Sequence, residues 1–506
     1  MNSSKQIKMG ALLSYLTIAF NMVAGLIYTP WMISQIGQSN YGLYTLANSL
    51  ITIFVIDFGM SAAVSRFVSK YRAEGNQEAV NNFLGTAYKI YIVLDGIILV
   101  ALLVVGLFLN LIYDNLTAGE LETFKVLYVI VGIFSVISFP FTNLNGILNA
   151  YENFIGLKLA DLFHKVFIIV AMVVALLLGC GVFALVTINA VSGILTIAIK
   201  LFLTKKGTEV KVNFRCKDKG ILKEIFSFSV WTTITSLARR MIFNISPSII
   251  VAVSTTGAIG AAVFGLASTV EGYVSTFATA INGMFMPRIS KIVYNGKKDT
   301  ELVDLMVKIG RIQCVIIGVL VVGFISFGRS FIVDIWNKPD FTESYLCAVL
   351  LIIPSYFYMP LQIANTTLIV ENKVRLQSII YLITGVLNVG ISLILSAKLG
   401  ALGASVSICI AYLIRSAMLV VAHVKVLHLD MMQMLKKCYL KITPYLLVML
   451  AIGLALEQFN PMPHGALRFV VNGFVFVICF IVLLSFCLND YEKNLFFGKI
   501  KKLIKR

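Results

Sequence analysis

The chain has 506 residues, of which 59% are apolar and only 13% charged, with a formal net charge of +18 and a mean hydropathy of +0.91. An ordinary soluble domain is roughly 45–50% apolar and about 25% charged, so this composition excludes a water-soluble enzyme with a large core and implies a polytopic membrane protein. The eight cysteines (Cys180, Cys216, Cys314, Cys347, Cys409, Cys438, Cys479 and Cys487) show neither CxxC nor zinc-finger spacing and read as free thiols, with no metal site.

Fourteen hydrophobic segments follow along the chain, at about 10–33, 41–66, 83–110, 124–149, 155–178, 181–203, 224–253, 260–287, 307–333, 344–370, 376–397, 401–424, 440–457 and 466–488. Each is long enough to cross roughly 30 Å of hydrocarbon at about 1.5 Å per residue. Lys5 and Lys8 precede a first run that is too long for a signal-peptide core, so it reads as a retained span. The connections 111–123, 336–344 and 204–223 leave no room for a soluble catalytic domain. Alternating the sides places 35 of the 42 Lys and Arg on the side of the N-terminus and five on the other, with Arg239 and Arg240 inside the seventh segment. That bias puts both termini in the cytoplasm. The basic residues are spread over eight connections, as expected of topology signals facing anionic lipids, and nucleic acid is not a partner.

The sequence repeats. Gly42 matches Gly265 at an offset of 223, Arg66 matches Arg288 at 222, and Glu152 and Asn153 match Glu371 and Asn372 at 219. LLGCG (177–181) matches KLGALG (398–403) near 221, Thr142/Gln362 and Asn145/Asn365 share 220, and Pro30 finds Pro247 at 217. Two copies of a six-crossing unit are expected: residues 1–215 as an N-terminal lobe, 216–430 as a C-terminal lobe, and 431–506 as two further helices with a basic cytoplasmic tail. Parallel repeats of this kind are a transporter architecture.

YGLY (41–44), DFG (57–59) followed by SRF (65–67), and YEN (151–153) lie within this twelve-plus-two pattern. Together they resemble the bacterial polysaccharide (O-antigen and exopolysaccharide repeat-unit) flippases of the multidrug/oligosaccharidyl-lipid/polysaccharide exporter superfamily. The resemblance covers nearly the whole chain and implies an all-α fold, with two six-helix lobes in a V around a central cavity. It also implies transport of undecaprenyl-diphosphate-linked oligosaccharide by alternating access, for surface polysaccharide synthesis. The implied partners are that lipid-linked substrate, membrane lipids, a polysaccharide polymerase and export proteins. No cofactor is implied beyond a coupling proton or sodium ion.

Polar residues within the segments mark candidate sites, because a charge at mid-bilayer costs at least about 2.5–3.5 kcal/mol. Ser268, Glu271, Ser275, Thr279 and Asn282 form one stripe; Thr232, Ser236, Arg240, Asn244 and Ser248 form another. Asn145, Gln362 and Asn365 add to a polar lining, although small polar side chains also serve helix packing alone. Arg239 and Arg240 are candidates for binding the diphosphate through a guanidinium fork; the alternative is a structural ion pair with Glu271 or Asp57. Glu271 is a candidate for ion coupling, charge pairing or sugar binding, and Asp57 for either the substrate path or coupling. Lys158, His164 and Lys165, with Asp161, are either a snorkelling interfacial cluster or a cytoplasmic access point for the pyrophosphate. Asp95 and Arg415 are isolated charges. Pro30 and Pro247 are candidate hinges or static kinks.

Three other functions remain open: a cation-coupled multidrug exporter, a peptidoglycan-precursor flippase and, from another class, a membrane-embedded glycosyltransferase or polymerase. The last lacks the large external loop or nucleotide site it would need. No GxxxxGK[ST] motif is present to support direct ATP drive.

Overall fold

The structure is a computed structural model and describes residues 3–216, 219–282, 285–296, 298–336, 338–463, 465–489 and 492–493. The described residues are helical apart from short turns and one extended connection at 208–213. Hydrocarbon leaves no alternative partner for a backbone N–H or C=O, so apolar runs of this length satisfy themselves as helices. Among the described residues eleven helices are long and apolar enough to cross a membrane, or twelve if Ser229–Ile242 and Ser246–Val253, bent by 42°, count as one span. This falls short of fourteen at two places. The two segments expected at 376–397 and 401–424 run together as Val374–Lys425, turned at Gly400 (φ 53°, ψ −129°). The segment expected at 41–66 is two helices, Gln38–Phe54 and Met60–Ala73, each too short to span alone.

Other expected spans are also interrupted. The fourth breaks at 139–143, between Ala118–Ser138 and Leu144–Ala150, and the tenth at 359–361, between Thr342–Tyr358 and Gln362–Val370. Both breaks carry a proline, Pro140 and Pro360, which lacks the N–H a helix interior needs. Pro247 behaves differently from the expected hinge. It occupies the first turn of Ser246–Val253, where a missing N–H costs nothing, and the break precedes it at 243–245. Pro30 does lie inside its helix, Ser3–Ile36.

The backbone repeats more faithfully than the sequence does. Left-handed residues recur as Gly37/Gly257, Gly75/Gly296, Glu152/Asn372 and Gly179/Gly400, at offsets of 220 or 221. After Leu144–Ala150, Glu152 N–H donates to Asn149 O and Asn153 N–H to Leu148 O; Asn372 and Lys373 do the same to Ile369 O and Leu368 O. These are matching Schellman helix ends. They correct the register: Glu152 corresponds to Asn372 and not to Glu371, and Pro30 has no counterpart in Pro247. Phe58 (φ 48°) and Gly59 (φ 67°) have no left-handed counterparts, because the equivalent positions lie within helix Gly257–Asn282.

Contacts divide the chain into two compact units, Met1–Gly265 with Ser378–Ser407, and Leu266–Gln377 with Ile408–Arg506. Ser378–Ser407 thus groups with the first unit, so the units do not follow the repeat boundaries at 215 and 430. In the first, Phe83, Tyr91, Phe124 and Phe139 are fully buried. There Gly42 meets helix Gly257–Asn282 so closely that a Cβ would lie 1.8 Å from Ala258 O, and a Cβ on Gly265 would lie 2.5 Å from Thr45 Oγ1. In the second, helix Val303–Ser330 is the centre, packed by Thr342–Tyr358 and Leu440–Phe459.

Candidate functional site

In the first unit two interrupted spans come together around residues 55–59, against helix Lys219–Ile242. Gly59 is held against Thr232, where a Cβ would lie 2.0 Å from Oγ1. The unwound carbonyls find side-chain donors. Thr233 Oγ1 donates to Phe58 O at 2.6 Å and Arg240 Nη2 to Val55 O at 3.2 Å. Ser61 Oγ donates to Thr142 O at 2.8 Å, tying this break to the one at 139–143. The Phe139 ring stands edge-on to Phe58 and Tyr91, with centroids 5.7 and 5.3 Å away.

Asp57 lies in the break and not on a helix, as the sequence had led one to expect. Its Oδ1 accepts the Ser61 N–H at 3.1 Å, which holds the first turn of Met60–Ala73, and the Tyr91 hydroxyl at 3.5 Å. Asp57 and Arg240 interact electrostatically, but no ion pair within 4 Å joins them among the described residues. Arg240 Nη1 is buried without a hydrogen-bond partner among the described residues. Arg239 is exposed, its guanidinium 5.4 Å from the centre of the Tyr381 ring. Asn244 occupies the 243–245 break, and its backbone N–H donates to Arg240 O at 3.0 Å. Irregular backbone at membrane depth is tolerated only where protein covers it or it lines a wet cavity.

A second polar group in this unit joins Leu144–Ala150, Phe154–Leu177 and Val182–Gly207. Lys200 Nζ donates to Asn145 Oδ1 and Asp161 Oδ1, each at 2.9 Å, and Lys158 Nζ lies 3.5 Å from Asp161 Oδ2. His164 Nδ1 is 2.8 Å from Ser192 Oγ. The sequence reading counted Lys200 only as a topology signal. Its position inside the apolar run IAIKLFL was the signal that it does more.

In the second unit Glu271 is buried and interacts with Arg415 and Ser275. Arg415, 3% exposed, stacks on Tyr412 at 3.8 Å and faces Tyr358 at 5.1 Å. The isolated charge Arg415 is therefore the neighbour of Glu271. The side chains of Thr279 and Asn282, and the basic tail beyond 493, lie outside the described residues. Asn365 is buried with its Oδ1 3.1 Å from Nε2 of His423, a partner the sequence reading missed; Gln362 is half-buried at the start of its helix. Asp95 remains without a partner on its buried Oδ1 among the described residues. A cleft of about 890 Å³ opens between Val303–Ser330, Thr342–Tyr358, Val374–Lys425 and Leu440–Phe459. Its wall is almost wholly apolar, including Val321, Phe357, Val420, Met434 and Leu446. Among the described residues no group of three His, Cys, Asp or Glu gathers to hold a metal.

Comparison with known proteins adds identity to this geometry. The model of the family described as "Polysaccharide biosynthesis protein" matches residues 7–293. An uncharacterized membrane protein of Methanocaldococcus jannaschii is 25% identical over 378 residues, which is 72% of this chain and 84% of that one. Among solved structures, the lipid II flippase MurJ in an inward closed conformation matches with a TM-score of 0.68 at 14% identity, over 98% of this chain and 99% of its own. An inward-facing multidrug resistance MATE family transporter of the MOP superfamily matches with a TM-score of 0.60 at 16% identity, over 82% of this chain and 96% of its own. A MOP superfamily transporter from Pyrococcus furiosus, described as having a binding pocket of reversed polarity, gives 0.58 at 15% identity over 83% and 95%. With its family matched over more than half its length, this chain is a multi-pass membrane protein of the polysaccharide biosynthesis protein family, built on the fold of the MOP transporters.

Proposed function

We propose that the protein flips undecaprenyl-diphosphate-linked oligosaccharide repeat units across the cytoplasmic membrane by alternating access, supplying surface polysaccharide synthesis. The observation that carries this reading is Arg240, a partly buried guanidinium whose Nη2 is spent on Val55 O and whose Nη1 has no partner among the described residues. A guanidinium keeps its charge at any working pH and fits two phosphate oxygens at once. Arg239 and Asn244 stand near it in sequence, Asp57 lies in the 55–59 break that Arg240 reaches through Val55 O, and Asn145, Gln362 and Asn365 are proposed to meet the sugar. The apolar cleft of the second unit has the chemistry of a polyprenyl chain. Fourteen crossings in two six-helix copies plus two helices, with both termini cytoplasmic, belong to the same proposal. So does a coupling role for Glu271, and so does hand-over to a polysaccharide polymerase and export proteins.

A second reading, flipping of a peptidoglycan lipid precursor, is favoured by the end-to-end likeness to the lipid II flippase MurJ. Deletion of the gene followed by analysis of surface polysaccharide and lipid-linked intermediates separates the two. The proposal expects loss of one surface polysaccharide and accumulation of its lipid-linked repeat unit, restored by the wild-type gene. Intact polysaccharide with accumulated lipid II supports the second reading. Intact polysaccharide with new sensitivity to cationic drugs supports a drug exporter.

A further inference from the structure

We infer that the lysine cluster on Phe154–Leu177 and Val182–Gly207 is a binding site for a lipid-borne phosphate. Lys158, Lys165 and Lys200 surround the single carboxylate of Asp161. Lys200 and Lys158 take one oxygen each, and Lys165 interacts with it from one helical turn further on. Three ammonium groups thus share one counter-charge in two helices whose composition is otherwise that of membrane spans. Such an excess of like charge within membrane spans is costly unless an anion completes it.

The cluster is built and not merely collected. The Lys200 side chain is only 13% exposed and is fixed by Asn145 as well as Asp161, whereas Lys158 and Asp161 are 37% and 36% exposed and leave the group open on one side. An approaching phosphate would meet Lys158 first. It would then compete with Asp161 for Lys200. Ammonium groups act here as compact charges that accept phosphates in many orientations, which suits a transient contact better than a guanidinium fork does. The phosphate has two sources: the diphosphate of the transported lipid, which makes this a loading point and rests on the flippase reading, or the headgroup of an ordinary anionic phospholipid, which does not.

The test is titration of the purified full-length protein, in phosphatidylcholine nanodiscs, with undecaprenyl diphosphate, phosphatidylglycerol and phosphate-free undecaprenol. Wild type should bind a phosphate-bearing lipid and not undecaprenol. The double variant K158Q/K165Q should weaken that binding about 30-fold, and Asp161→Asn should tighten it about fivefold. The opposite signs exclude a purely structural role, which would move both variants the same way. Preference for undecaprenyl diphosphate supports the loading point, and equal binding of phosphatidylglycerol supports a phospholipid site. Unchanged binding in K158Q/K165Q, or weakening by Asp161→Asn, overturns the inference. Loss of binding in Arg240→Ala with K158Q/K165Q unaffected also overturns it while sparing the flippase reading. The converse pattern upholds the site and removes Arg240 from it.

Discussion

Arg240 spends its Nη2 on Val55 O and buries its Nη1 with no partner among the described residues. A buried unsatisfied donor costs roughly 1–3 kcal/mol, which the diphosphate would offset on the proposed reading. Arg240→Ala and Arg240→Lys should therefore both reduce polysaccharide export at normal expression, the lysine because it keeps the charge but loses the fork. Full export by the lysine variant would show that charge alone suffices. Asp57 has a separate, structural duty that can be weighed: its Oδ1 receives the Ser61 N–H at the start of a helix. Asp57→Ala should lower stability by about 1 kcal/mol and Asp57→Asn by less, since the amide oxygen still accepts. Thermal unfolding in detergent checks this. The sequence exposed Asp57 as a charge in an apolar run. That the chain unwinds there was not legible, because Ile56–Asp57–Phe58 contains no proline and the only hint was Gly59.

At the level of elements, close approach and left-handed turns decide what can be changed. A Cβ on Gly42 would lie 1.8 Å from the backbone oxygen of Ala258, whereas one on Gly265 would meet the movable side chain of Thr45. Gly42→Ala should thus cost at the upper end of about 1–3 kcal/mol or prevent folding, and Gly265→Ala should cost less. Comparing the melting temperatures and yields of the two variants tests this; an equal effect would contradict the packing described. YGLY and FGLA announced both glycines in the sequence. The repeat was legible for the same reason, yet its register was misread at YEN and VEN, where matching letters set Glu152 on Glu371. The backbone instead matches the residues that must be left-handed, Glu152 and Asn372. Pro247 shows the same limit. A proline within an apolar run looks the same in sequence whether it kinks one helix or starts the next.

For the molecule as a whole, composition alone identified a polytopic membrane protein. The span count was less legible because a helix can turn at one glycine without leaving its apolar run, as at Gly400. The charge bias makes a topological prediction. In single-cysteine variants on spheroplasts, a membrane-impermeant maleimide should label exposed Cys180, between the fifth and sixth segments, and not Cys216, between the sixth and seventh. The reverse pattern would invert the orientation. The flippase reading itself is tested most directly in proteoliposomes of the purified protein, by following movement of an undecaprenyl-diphosphate-linked repeat unit from one leaflet to the other. The account predicts movement well above that in protein-free liposomes and strongly reduced by Arg240→Ala; movement no faster than in protein-free liposomes would contradict it.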